Sequence, residues 1–153
     1  MIKPEKITVT CSEKWREDVV RVARAWIGTP YHHRAKVKGA GVDCGMILQA
    51  VFSEAGVIND YDTGEYPPDW MMHRSQELYL CAVEQYAKKV NREPLPGDVA
   101  LFRFGRCISH GAIVTDWPFV VHAYKDARMV VEDNIFTSDA LHSRLVGFWS
   151  VEF

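Results

Sequence analysis

Apolar side chains recur at helical spacing in the first ninety residues of the chain and alternate with polar ones beyond Pro94, so the pattern separates a helical half from a strand half. Trp15, Val19, Val22 and Trp26 stand at offsets 0, 4, 7 and 11 before Gly28, Thr29 and Pro30 break the series. This predicts a first amphipathic helix over 12–27, opened by Thr10 and Glu13 at capping-box spacing. The loop YHHRAKVKGAGVD, rich in Gly and basic residues, leads to a second helix that begins near Cys44. Its Ile47, Leu48, Val51, Phe52 and Ala55 keep helical spacing until Gly56. Pro, Gly and Asp make 59–70 a loop, and Ser75 to Val90 reads as a third helix. Short runs rich in β-branched and aromatic residues then follow at 98–104, 109–115, 118–124, 128–133 and 145–152. Helices first and an antiparallel meander afterwards predict an α+β fold with the helices packed on the sheet.

At 153 residues, 48% of them hydrophobic, the chain is long enough for one domain, 1–153, with a core that needs no metal or disulfide staple. A formal charge of -2, with 18 scattered basic residues, lacks the cationic face that a nucleic-acid partner requires. No apolar run approaches the ~18–20 residues of a membrane span, so no membrane partner is expected. The opening MIKPEKITVT has no apolar stretch before a small-residue site, and a signal peptide is not expected either. Cys11, Cys44, Cys81 and Cys107 are widely spaced without a C-x-x-C, and are read as reduced.

Reduced cysteines turn attention to reactivity. Cys44 falls in the first turn of a helix, where unpaired amides and the positive end of the helix dipole favour a thiolate and could hold an oxyanion. The same residue shares an apolar face with Ile47, Leu48 and Val51, so an inert buried cysteine is the alternative. A nucleophilic cysteine needs a base, and His110 and His122 lie in neighbouring strand-like runs. An odd-length hairpin loop puts both imidazoles on one face, and a three-residue loop over 115–117 sets them directly opposite. His110 then pairs with Cys44 while His122 fixes its tautomer. Asp43, beside the cysteine, opposes thiolate formation by its charge and serves more naturally as a helix cap. A zinc site from Cys107, His110 and His122 competes with this reading but lacks paired ligand spacing. No cofactor is expected.

The strings GTPY (28–31), GVDCGMI (41–47), PLPGDVALF (94–102), SHGAIV (109–114) and VVHAY (120–124) resemble, in order and approximate spacing, the NlpC-type cell-wall peptidases. These are papain-like cysteine hydrolases. The resemblance implies Cys44 as nucleophile, His110 as general base, His122 as the third polar residue and Tyr31 as a tyrosine whose hydroxyl lies near the site. It further implies a peptidoglycan stem peptide as substrate, cut at the γ-D-glutamyl bond before a diamino acid. Asp43, Gly45 and Trp70, the last in an acidic and aromatic loop, border the expected substrate groove. Gly45 and Met46 depart from the Ser and Gly that usually follow the cysteine, which leaves a non-catalytic docking module as the alternative. Without a signal peptide or wall-binding repeat, the chain looks like the phage or prophage tail-associated members, with tail proteins as implied partners.

Overall fold

A computed structural model describes residues 7–10, 13–60 and 78–151. Trp70 and the rest of the acidic loop beyond Asp60 lie outside the described residues, as do Ser75, Gln76 and Glu77. Helix α1 (Trp15–Ala25) buries Val19, Val22 and Ala23, the stripe its spacing predicts. It starts three residues later than expected. Its N-cap, Lys14, makes no side-chain cap bond, and the Thr10 amide instead donates to the Val57 carbonyl at 2.7 Å. Pairing of the N-terminal segment with the 57–58 segment replaces the capping box. A two-residue ribbon, β1 (Lys36–Val37) with β2 (Gly41–Val42), leads into α2 (Cys44–Glu54).

Helix α2 is the centre of the molecule. Seven consecutive residues, Met46 to Phe52, are buried, so this helix has no solvated stripe over those two turns. A helix apolar on every side must be covered on every side. Val19, Val22 and Trp26 of the α1 segment, and Leu101, Ile113 and Val121 of the sheet, belong to the cluster around it. Asp43 closes its N-terminus, accepting from the amides of Gly45 and Met46.

The third predicted helix is a correction. Among the described residues of that segment only Leu78–Val83 is helical (α3), and Ala87–Val90 is a strand, β3, at one edge of the sheet, paired from Ala87↔Val151 to Val90↔Phe148. The run AKKV is too short for periodicity to decide, and backbone pairing with a neighbouring strand outweighs the helix propensity of Ala and Lys. Its exposed lysines suit an edge. The remaining strands are β4 (Val99–Phe104), β5 (Cys107–Val114), β6 (Phe119–Tyr124), β7 (Met129–Asn134) and β8 (Leu145–Val151). Together they form one antiparallel six-stranded sheet in the order β3-β8-β4-β5-β6-β7.

One sheet face carries Val99, Leu101, Ile113, Val121 and Ala123 against the helices. The other carries Ala100, Phe102, Ala112, Val114 and Val120 against Ile135 and Leu141. Those last two belong to a 3-10 turn (Ile135–Thr137) and a short helix α4 (Asp139–His142), which bring the chain from the edge strand β7 back to β8. The fold is therefore α+β as expected, with a second, smaller core on the far side of the sheet. Among the described residues no helix is long and apolar enough to cross a membrane.

Candidate active site

Cys44 is held by three packing decisions in the sequence. Asp43 fixes where α2 begins: one carboxylate oxygen accepts from Gly45 N–H (3.1 Å) and Met46 N–H (2.9 Å), the other from Arg34 N–H (2.8 Å), and His33 Nδ1 lies 3.7 Å away. Tyr79 of α3 donates its hydroxyl to the Cys44 carbonyl at 2.6 Å. Gly111 of β5 makes room for that hydroxyl, since a Cβ there would lie 2.6 Å from it and 2.9 Å from Leu48 Cδ1. The sulfur donates to the Ser109 carbonyl at 3.5 Å, and the Tyr31 hydroxyl points to the sulfur at 3.9 Å. Ser109 is the extra residue of a bulge, with Phe102↔His110 on one side and Arg103↔Ile108 on the other, and this frees its carbonyl from the ladder.

Tyr31 is placed by the segment before it. Gly28 N–H donates to Val130 C=O, Val130 N–H to Thr29 C=O and Tyr31 N–H to Arg128 C=O, which ties GTPY to β7. Gly28 has φ +91, a left-handed conformation that favours glycine where α1 ends. The peptide then runs beside Val42, directly before Asp43.

His110 and His122 share a sheet face, as the odd-loop argument requires, but they are diagonal rather than opposite. The strands pair as Ile113↔Val121 and Val114↔Val120, so the connection is 116–118, one residue later than the expected 115–117. Diagonal neighbours on one face remain within reach of long side chains. His110 Nε2 lies 2.7 Å from His122 Nδ1, and the rings stand edge to face with centroids 5.0 Å apart. Phe102, Phe104 and Tyr124 enclose His110, and Tyr124 stacks on His122 at 5.0 Å.

The electrostatics differ from the expected thiolate. Burial, and after it the charge of Asp43, push the Cys44 thiol up to about 12. Burial, and after it His122, hold His110 well below the ordinary imidazole value. Burial first, then Cys44 and Asp43, raise the Tyr31 hydroxyl. At rest, therefore, the Cys44 thiol is protonated and the His110 imidazole is neutral. The Gly45 amide, expected as an oxyanion donor, is bonded to Asp43. Cys107, His110 and His122 do not gather as a zinc site: among the described residues no three His, Cys, Asp or Glu side chains could hold a metal, and the two histidines turn facing nitrogens to one another.

Sequence reasoning missed Asp133. Its Oδ2 lies 2.6 Å from His122 Nε2, extending the series His110–His122 by one carboxylate. Carrying the hairpin argument one strand further would have found it: His122 pairs with Val131, so Asp133 is the diagonal neighbour on the same face. Tyr79 was also missed, because it acts through the backbone of Cys44 and carries no motif.

The family model described as the NlpC/P60 family matches residues 28–149. No curated protein sequence matches the chain. Among solved structures, the fold is similar to NlpC1 from Trichomonas vaginalis, with 13% identity, TM-score 0.63, and coverage of 95% of this chain and 48% of that one. It is similar to the NlpC/p60 domain of the peptidoglycan hydrolase SagA, with 18% identity, TM-score 0.57, and coverage of 90% and 98%. It is also similar to RipD from Mycobacterium tuberculosis, described as a non-catalytic NlpC/p60 domain protein, with 12% identity, TM-score 0.57, and coverage of 92% and 98%. The chain spans about half the length of the two Trichomonas vaginalis structures, 48% of one and 50% of the other. Since the family match takes in Tyr31, Cys44, both histidines and Asp133, the chain belongs to the NlpC/P60 family.

Proposed function

We propose that the chain is a cysteine hydrolase that cuts the peptidoglycan stem peptide at the γ-D-glutamyl bond preceding the diamino acid. The observation that carries this reading is the hydrogen-bonded imidazole pair, His110 and His122, one residue along β5 from the carbonyl that holds the Cys44 thiol. With the thiol pushed up and the imidazole pushed down, the sulfur attacks as its proton moves to His110, rather than from a preformed ion pair. The S–C bond forms at the glutamyl carbonyl, and the carbonyl electrons move onto oxygen. His110 returns the proton to the leaving amine as the C–N bond breaks, and a thioester on Cys44 remains. Water, deprotonated by His110, then attacks the thioester, and the carboxylic acid and free thiol are regenerated. Tyr31 serves as a donor at the developing oxyanion, in place of the Gly45 amide. Asp43 and Gly45 shape the groove from within, through the cap. A phage or prophage tail setting, with tail proteins as partners, rests on the sequence resemblance alone.

The second reading, a module that binds peptidoglycan without turnover, is favoured by the protonated resting thiol and by likeness to a structure described as non-catalytic. Digestion of defined muropeptides separates the two. A hydrolase releases products of the mass expected for γ-D-glutamyl cleavage, and Cys44→Ala and His110→Ala each abolish that release while remaining folded. Intact substrate with the wild-type chain, together with retention on insoluble peptidoglycan, establishes the binding module.

A further inference from the structure

Asp133 is half exposed, with 37% of its side chain open to solvent, while the imidazole it meets is fully buried. A polar group at the sheet surface thereby has a bonded path of 2.6 Å and 2.7 Å steps into the buried base. The path has a direction. A carboxylate has no proton to give, so His122 Nε2 must be the donor to Asp133 Oδ2. In a neutral His122 the other nitrogen, Nδ1, is then an acceptor, and its partner 2.7 Å away, His110 Nε2, must carry a proton. The free nitrogen of His110 is consequently Nδ1, bare and able to accept.

From this sequence of donors we infer that Asp133 is a positioning residue which, through His122, selects the His110 tautomer that can take a proton from Cys44. The inference deepens the hydrolase reading, and its kinetic arm rests on that reading. Ring packing reinforces the selection. Tyr124 lies flat on His122, with 25° between planes, and Phe104 stands edge-on to His110, so neither imidazole can turn over without displacing an aromatic neighbour. The charges facing the relay come from several elements. Arg144, ahead of β8, lies over Phe104 at 4.9 Å, and burial, then Asp126 in the β6–β7 turn, raise the Tyr124 hydroxyl against the opposing charge of Arg144. Asp133 itself is held below the ordinary carboxylate value by its bond from His122, so it is ionised at neutral pH. Replacing Asp133 by a neutral group removes the anion at the outer end of the bonded series, a loss that by charge alone disfavours a proton on the buried base.

The test uses Asp133→Asn and Asp133→Glu in the full chain, with two readouts. Nitrogen-15 NMR of labelled histidine in the wild-type chain without substrate should show His110 protonated on Nε2 and bare at Nδ1. Asp133→Asn should mix the two tautomers, and Asp133→Glu should restore the wild-type pattern. In muropeptide hydrolysis, Asp133→Asn should lower kcat with KM unchanged, because fewer chains then hold His110 with Nδ1 bare, and Asp133→Glu should recover it. Asp133→Asn should also move the acidic limb of the rate profile to lower pH. A wild-type His110 protonated on Nδ1, or an unchanged tautomer and unchanged limb in Asp133→Asn, overturns the inference. A wild-type chain that hydrolyses nothing yet shows the Asp133-dependent tautomer removes the hydrolase reading and leaves this inference standing.

Discussion

The contact that seats Cys44 can be broken by adding one methyl group. In Gly111→Ala the new Cβ would lie 2.6 Å from the Tyr79 hydroxyl, 2.9 Å from Leu48 Cδ1 and 3.2 Å from Leu101 Cδ2, all shorter than the ordinary contact range of 3.4–4 Å. None of the three can move freely: Leu48 and Leu101 are buried in the main core, and Tyr79 is bonded to the Cys44 carbonyl at 2.6 Å. Overpacking of this kind costs ~1–3 kcal/mol. Stretching the Tyr79 hydrogen bond adds ~1 kcal/mol, and the stiffer unfolded chain returns ~0.5 kcal/mol. The net destabilisation is ~1.5–3.5 kcal/mol, or a fall in Tm of ~3–14 °C for a chain of this length. Urea unfolding at constant m measures it. Tyr79→Phe removes the nearest clash, so Gly111→Ala should cost ~1 kcal/mol less in that background, a coupling that a double-mutant cycle reads directly. An unchanged midpoint for Gly111→Ala, or an identical cost in the two backgrounds, refutes the packing argument.

Other consequences can be measured separately. Iodoacetamide should alkylate Cys44 slowly at pH 7, because burial and Asp43 push the thiol up to about 12, with the rate climbing steadily as pH rises; fast labelling at neutral pH contradicts the protonated resting state. Asp43→Asn removes the neighbouring charge while keeping one capping oxygen, and should raise the labelling rate at pH 8 severalfold. Burial pulls the Asp98 carboxyl upward, but hydrogen bonds from Arg92, the Leu95 amide and Arg16 prevail and hold it below its ordinary 3.8. That stabilisation is complete above the unfolded value and drains away as pH falls through the folded one. Asp98→Asn should therefore cost ~3 kcal/mol at pH 7 and progressively less as pH falls below 3.8, as followed by urea unfolding.

Legibility in the sequence followed the range of the interactions involved. Helix α2, its Asp43 cap and the five strands from Val99 onward were readable, because cap chemistry and hydrophobic period act over a few neighbouring residues. The parity that puts His110 and His122 on one face was also readable. Their diagonal offset was not, because it depends on whether the turn closes at 115–117 or 116–118. The false helical half of 75–90 arose where four residues, Ala87 to Val90, take their structure from pairing with β8, sixty residues away. Cys44 misled for a related reason. Its helix-start position favours a thiolate locally, yet burial, and after it the charge of Asp43, outweigh the amides of the first turn. Tyr79 and Asp133 escaped because each acts through a partner distant in sequence, at the Cys44 carbonyl and the His122 ring.

The covalent role of Cys44 is tested most directly by intact-protein mass spectrometry of a reaction with a defined tetrapeptide muropeptide, quenched in acid within the first turnovers. The account predicts a mass increase equal to the acyl portion ending in γ-D-glutamate, mapped to Cys44 and absent from Cys44→Ala. Hydrolysis that persists in Cys44→Ala, or an adduct mapped to another residue, contradicts it.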